Sequence, residues 1–137
     1  MSAPRDERGS AVVELTVMVP AVVLLLVFVV FAGRVTGARL DVAGAAADAA
    51  RAASVRQHPR DAAADARDIA AASLADRGVT CAPLGVDVDT GAFTRGGSVA
   101  VTVHCTVDLS DLGLLGVPAA RTVSARATEI LDVLRSD

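Results

Sequence analysis

An α+β fold led by a membrane-spanning helix is what this sequence predicts, and three observations predict it. From Leu15 to Gly33 the chain carries no charge, and Val, Leu and Phe dominate. From Arg34 to Asp76 it is rich in Ala with scattered Asp and Arg, a composition suited to helix. From Val79 onward the hydrophobic period changes to two, which marks strands. The expected order is a leader over 1–9, a transmembrane helix over 10–33 and a helical stalk over 34–78 that breaks at Pro59. A small β-rich head over 79–137 completes it.

The uncharged run sets everything after it. About 19 residues at 1.5 Å each make a helix of roughly 28 Å, close to the thickness of a bilayer core. A segment apolar on every side has no place on the surface of a small soluble domain. Ahead of the run lie Pro4, Arg5, Asp6, Glu7, Arg8 and then Gly9-Ser10-Ala11-Val12-Val13-Glu14. Glu14 is therefore enclosed by apolar neighbours, where a carboxylate costs a few kcal/mol and commonly serves a function. The plainer reading is an acid at a helix N-terminus, favoured by the macrodipole, with Ser10 as a cap. Pro20 removes one helical hydrogen bond and predicts a kink.

The residues Arg8-Gly9-Ser10-Ala11-Val12-Val13-Glu14-Leu15, then Pro20, Leu24-Leu25-Leu26 and Gly33-Arg34, resemble the N-terminus of the type IV pilin superfamily. Within it the likeness is to TadE-like proteins of the Tad (Flp, tight-adherence) pilus system, over the first quarter of the chain. The resemblance implies cleavage by a prepilin peptidase between Gly9 and Ser10, which leaves Glu14 as the fifth mature residue and an assembly determinant. It also implies partners: the membrane, the peptidase, other pilin-like subunits and the Tad inner-membrane assembly machinery. The short N-terminus would be cytoplasmic and the body extracytoplasmic. Leu15 departs from the tyrosine that follows the glutamate in major pilins of this system. That departure points to a minor subunit or assembly component.

Two other readings compete. One is a generic single-pass anchor that presents an external binding module. The other is a secreted domain released by signal peptidase near Val30-Phe31-Ala32, although the apolar run exceeds a typical signal h-region. Arg5 and Arg8 on one side and Arg34 and Arg39 on the other leave the charge rule for orientation balanced.

Beyond the membrane, Arg34 to His58 is expected to continue the first helix. Gly33 and Gly37 form a GxxxG pair, with Gly44 near the same face; close helix packing is one meaning and a glycine-rich composition the other. Pro59 breaks the helix and suits the first turn of the next. Asp61 to Asp76 predicts a second helix with an apolar stripe of Ala63, Ala66, Ile69, Ala70 and Leu74, stopped at Gly78. Val79 and Cys81 share one face of an extended segment. Val86 and Val88 alternate with Asp87 and Asp89, and Thr90-Gly91 is expected to turn. Ser98 to Val107 is the clearest strand, with Val99, Val101, Val103, Cys105 and Val107 on one side, and it predicts an antiparallel hairpin. Leu109 to Pro118 is an apolar connection folded on the core or exposed as a tip. Arg121 to Leu134 fits a strand at its start, though Val123, Ala127, Ile130, Leu131 and Leu134 also fit a helical stripe.

Cys81 and Cys105 are expected on the apolar faces of strands, and outside the cytoplasm they would oxidise to a disulfide; the alternative is two buried thiols. His104 beside Cys105 lacks the further ligands of a zinc site. Asp87, Asp89 and Gly91 hint at a calcium loop, but its remaining acidic ligands are missing. No metal or other cofactor is therefore expected. The chain has no Trp or Tyr, three Phe and a net charge of −3, which argues against nucleic acid. Without a Walker loop, Rossmann glycines or a serine elbow, a non-enzymatic protein with no small-molecule substrate is expected.

Overall fold

The computed structural model describes residues 8–108 and 120–134, with side chains from residue 13 onward. The order is α1 (Arg8–Ser54), α2 (Pro59–Asp76), β1 (Leu84–Ala92), β2 (Ser98–Asp108) and β3 (Ala120–Ile130). This is the α+β class expected. The chain divides into two compact units, 1–36 and 37–137. The connection at 109–118 and the leader before Arg8 lie outside the described residues.

In the first unit α1 carries Pro20 within it, and the helix continues past the missing N–H. Its side chains from Val13 to Val30 are largely exposed.

The second unit holds the core. Val42, Ala45, Ala46, Ala49, Ala50 and Ala53 of α1 are fully buried, a stripe at helical spacing. Facing it on α2 are Ala62, Ala66, Ala70, Ser73 and Leu74. Ala63 and Ile69, expected in that stripe, are only half-buried, so the buried face is turned toward Ala62 and Ser73. An all-Ala periodicity is too uniform to locate its own inner face.

The helix ends follow local chemistry. α1 stops at Ser54 rather than His58, and the Ser54 hydroxyl donates back to the Arg51 carbonyl at 2.8 Å. His58 is extended, as the residue before a proline must be, and α2 begins at Pro59, two residues earlier than expected. At its far end Gly78 is left-handed at φ +71°. Its N–H donates to Ala75 O, and Val79 N–H donates to Leu74 O, the paired bonds of a Schellman stop.

The sheet has the order β1-β2-β3 and is antiparallel throughout. Three rows cross its inner face: Leu84–Cys105–Val123, Val86–Val103–Ala125 and Val88–Val101–Ala127. All nine join the cluster that contains the helical alanines. The strand expected at the start of 121–134 is present and runs to Ile130, because pairing with β2 directs Val123, Ala125 and Ala127 inward. Two expectations are corrected. Thr90 and Gly91 lie inside β1, where the Gly91 N–H bonds to Asp89 and the register shifts, and the chain reverses at 93–97 instead. Cys81 precedes β1 rather than occupying a strand, since Pro83 has no N–H to extend a ladder.

One polar cluster ties the helices together. The Ser73 hydroxyl donates to Asp48 at 2.7 Å, and the Arg77 guanidinium reaches the same carboxylate at 3.2 Å. The Ser73 hydrogen bond holds the Asp48 carboxyl below its ordinary range, aided by Arg77 and Arg51 and opposed by desolvation. A carboxyl depressed in the folded state stabilises above its unfolded pKa, and that contribution is lost as pH falls through the folded value. Asp48→Asn is accordingly expected to flatten the fall in melting temperature below about pH 4, measured by thermal melts of detergent-solubilised protein. An unchanged acid limb would remove Asp48 from that account.

Candidate functional site

The features with chemical potential lie along α1. Gly9 and Ser10 are in the first turn of the helix, and Glu14 follows within the next. Five residue steps along the helix carry Gly9 to Glu14, about 7.5 Å along the axis. The Glu14 side chain is exposed between Val13 and Leu15, with 66% and 61% of their surfaces uncovered. Among the described residues it meets no hydrogen-bond or ion-pair partner.

α1 is long and apolar enough to cross a membrane, and its most apolar stretch is wholly unburied. Further on, the helix divides its small residues between two uses. Gly33 and Gly37 have open space where a Cβ would stand, so the GxxxG pair is uncovered. Leu40, Ala43 and Ala47 remain exposed at continuing helical spacing. Gly44 is spent differently: a Cβ there would meet the Arg77 guanidinium at 2.8 Å. The three glycines near one face of the helix thus separate, two open and one occupied from within. Reading the sequence missed the cluster of Gly44, Asp48, Ser73 and Arg77. Its only sequence trace is a serine on the apolar side of α2, adjacent to Leu74.

Residues 9–51 match the family described as TadE-like protein. The N-terminal segment is TadE-like. The match covers just under a third of the chain and contains Gly9, Ser10, Glu14, Pro20 and the buried alanine stripe as far as Ala50. No curated protein and no solved structure matches the chain. Over residues 9–51, which lie within α1 up to Arg51, the chain is similar to TadE-like proteins.

The head beyond the TadE-like segment carries the second candidate, the cysteine pair. Cys81 and Cys105 form a disulfide, with Cα atoms 5.0 Å apart and a sequence separation of 24. Cys105 is fully buried on β2. Next to the bridge, Ala82 N–H donates to Thr106 O and Thr106 N–H to Pro83 O, so the bridged loop also continues the sheet's hydrogen bonding. On the outer face of the sheet the acidic pair is engaged: Asp87 lies 3.2 Å from the His104 imidazole, and Asp89 lies 3.5 Å from Arg126. No group of three or more His, Cys, Asp or Glu side chains able to hold a metal occurs among the described residues.

Proposed function

We propose that this protein is a minor pilin-like subunit or assembly component of a Tad/Flp surface pilus, inserted in the membrane by α1. The observation that carries the reading is the coincidence, inside the TadE-like match, of Gly9, Glu14 at five residues' distance, and an apolar helix uncovered from Val13 to Val30. Leu15 in place of tyrosine favours a minor role over the main fibre subunit. In this reading a prepilin peptidase cuts between Gly9 and Ser10, the N-terminus is cytoplasmic and the residues after the anchor are extracytoplasmic. The Cys81–Cys105 disulfide supports that side, since disulfides persist outside the reducing cytoplasm. The partners are the peptidase, other pilin-like subunits and the inner-membrane Tad machinery, and the role is non-enzymatic.

Cleavage has a direct test. A glycine before the scissile bond lets backbone and peptidase carboxylates approach closely, and any side chain obstructs that approach. In cells that carry the peptidase the mature chain is expected to begin at Ser10. Gly9→Val is expected to retain the leader while still inserting, because the apolar run is untouched. N-terminal sequencing checks both. A mature chain beginning near Gly33 would instead mark signal-peptidase release, and an uncut chain would mark a plain anchor.

A further inference from the structure

The sheet has two edge strands, and β3 offers the longer and more regular edge. It runs for 11 residues, and its register with β2 is unbroken from Ser98–Ile130 to Asp108–Ala120. β1 is shorter and shifts register between Asp89 and Ala92. An irregularity of that kind blunts an edge against further pairing, whereas a long regular edge is a template for another strand.

Hydrogen bonding divides the residues of β3 between its two sides. Leu131 N–H donates to Gly97 O, so Leu131 turns its backbone toward β2. Antiparallel alternation then commits the backbone groups of Val123, Ala125, Ala127 and Glu129 to β2. Those of Thr122, Ser124, Arg126 and Thr128 point to the outer edge, where no described strand pairs with them.

The inner face of β3 carries opposite charges near its two ends that the chain does not match. Arg121 lies beside Val107 of β2 and Glu129 beside Val99. Neither meets an ion-pair or hydrogen-bond partner among the described residues, and Glu129 is half-buried. Arg126, on the outer face, is by contrast already held by Asp89.

These charges complement a second copy of themselves. Directly opposed side chains in an antiparallel pair share a face, so two copies of β3 keep one continuous inner face only in registers centred on a residue. Centred on Ala125, the register sets Arg121 opposite the other copy's Glu129, at both ends of the junction. Val123 then faces the other copy's Ala127, and the outward backbone groups of Thr122 and Ser124 bond to those of the other copy's Thr128 and Arg126. Centring on Arg126 would oppose two guanidinium groups, and centring on Ser124 would leave Arg121 opposite Ala127.

We infer that two copies of this chain join edge to edge through β3, antiparallel and centred on Ala125, so that one sheet runs across both heads. The contact is isologous and closes at the dimer. It involves residues 120–130 alone and does not depend on the proposed pilus role.

Cysteine cross-linking of the full chain in detergent tests it, since both native cysteines are already bridged. Ala125→Cys opposes its own equivalent in a close, non-hydrogen-bonded pair that a disulfide spans. Ala127→Cys stands four residues out of step with its equivalent, about 13 Å along the strand. Mild oxidation is expected to convert Ala125→Cys to a dimer and nothing larger on a non-reducing denaturing gel, and to leave Ala127→Cys monomeric. Sedimentation equilibrium in density-matched detergent reads the same contact without added cysteine. Arg121→Glu or Glu129→Arg sets like charges opposite each other at both ends and is expected to weaken the dimer about tenfold or more. The double variant Arg121→Glu/Glu129→Arg is expected to restore it. Equal bridging by Ala127→Cys, covalent species beyond the dimer, or no dimer at any concentration would overturn the inference. So would a dimer indifferent to the charge reversals, which is how association through α1 alone would behave. Each of these failures leaves the proposed function standing, because cleavage after Gly9 and membrane insertion are read separately.

Discussion

Glu14→Val is expected to insert as well as the unaltered protein and to be lost from pilus complexes. The valine removes a carboxylate from an otherwise apolar segment, which lowers the cost of insertion by a few kcal/mol. Cleavage after Gly9 would create an ammonium at Ser10, and would remove Arg5 and Arg8 at the same moment. In a low-dielectric setting that ammonium and the Glu14 carboxylate attract strongly, and either charge alone is disfavoured. Between packed helices the pair would set axial register more than it would add stability. Removing one member of a buried pair costs about 3 kcal/mol or more, enough for roughly a hundredfold loss of co-purification with pilin-like partners. Glu14→Asp keeps the charge with one methylene less reach, and an intermediate yield is expected. Quantitative pull-down from solubilised membranes reads all three proteins. If Glu14→Val assembled at full yield, Glu14 would be only an acid at a helix end, and the plain anchor would be the better account.

Loss of the disulfide is expected to have the largest effect on stability. Closing a loop across 24 residues is worth about 3 kcal/mol in the chain-entropy account. For a unit of this size, with about 5–15 kcal/mol in all, that is a large share. Cys81→Ala is expected to lower the melting temperature by about 15 °C in a thermal melt of detergent-solubilised protein. Cys105→Ser should be worse by a further 1–3 kcal/mol or so, because Cys105 is fully buried and its replacement leaves a hydroxyl among Val103, Val123 and Leu84. Equal losses in the two variants would show that the bridge alone carries the effect. No loss in either would leave the sheet held by packing.

The candidate residues along α1 could be picked out because their signals are local. An uncharged run of bilayer length, a glycine and a glutamate at fixed spacing, and a proline within the run can all be read without knowing what the chain folds against. The head was legible where its alternation was long. β2 repeats its inward residues over most of its 11 positions, and period two over that length has a single interpretation. β3 was ambiguous because Ala and Val fit a strand and a helical stripe equally well until β2 is beside them. At Thr90-Gly91 the residues favour a turn, yet pairing with β2 kept them in β1 and deferred the reversal to 93–97.

By itself, then, the sequence determined the apolar helix, the helix break at Pro59, the stop at Gly78 and the principal strand, since each depends on backbone chemistry or on a long hydrophobic period. Only the tertiary structure decided how the small residues are used. Nothing in their chemistry separates Gly44 from Gly33 and Gly37, or Ala62 from Ala63. Gly44 is occupied because Arg77 reaches over it toward Asp48, and Gly33 and Gly37 stay open because no side chain comes within 4 Å of where a Cβ would stand. A residue with little or no side chain carries almost no directional information of its own. What it does is settled by the neighbour that approaches it.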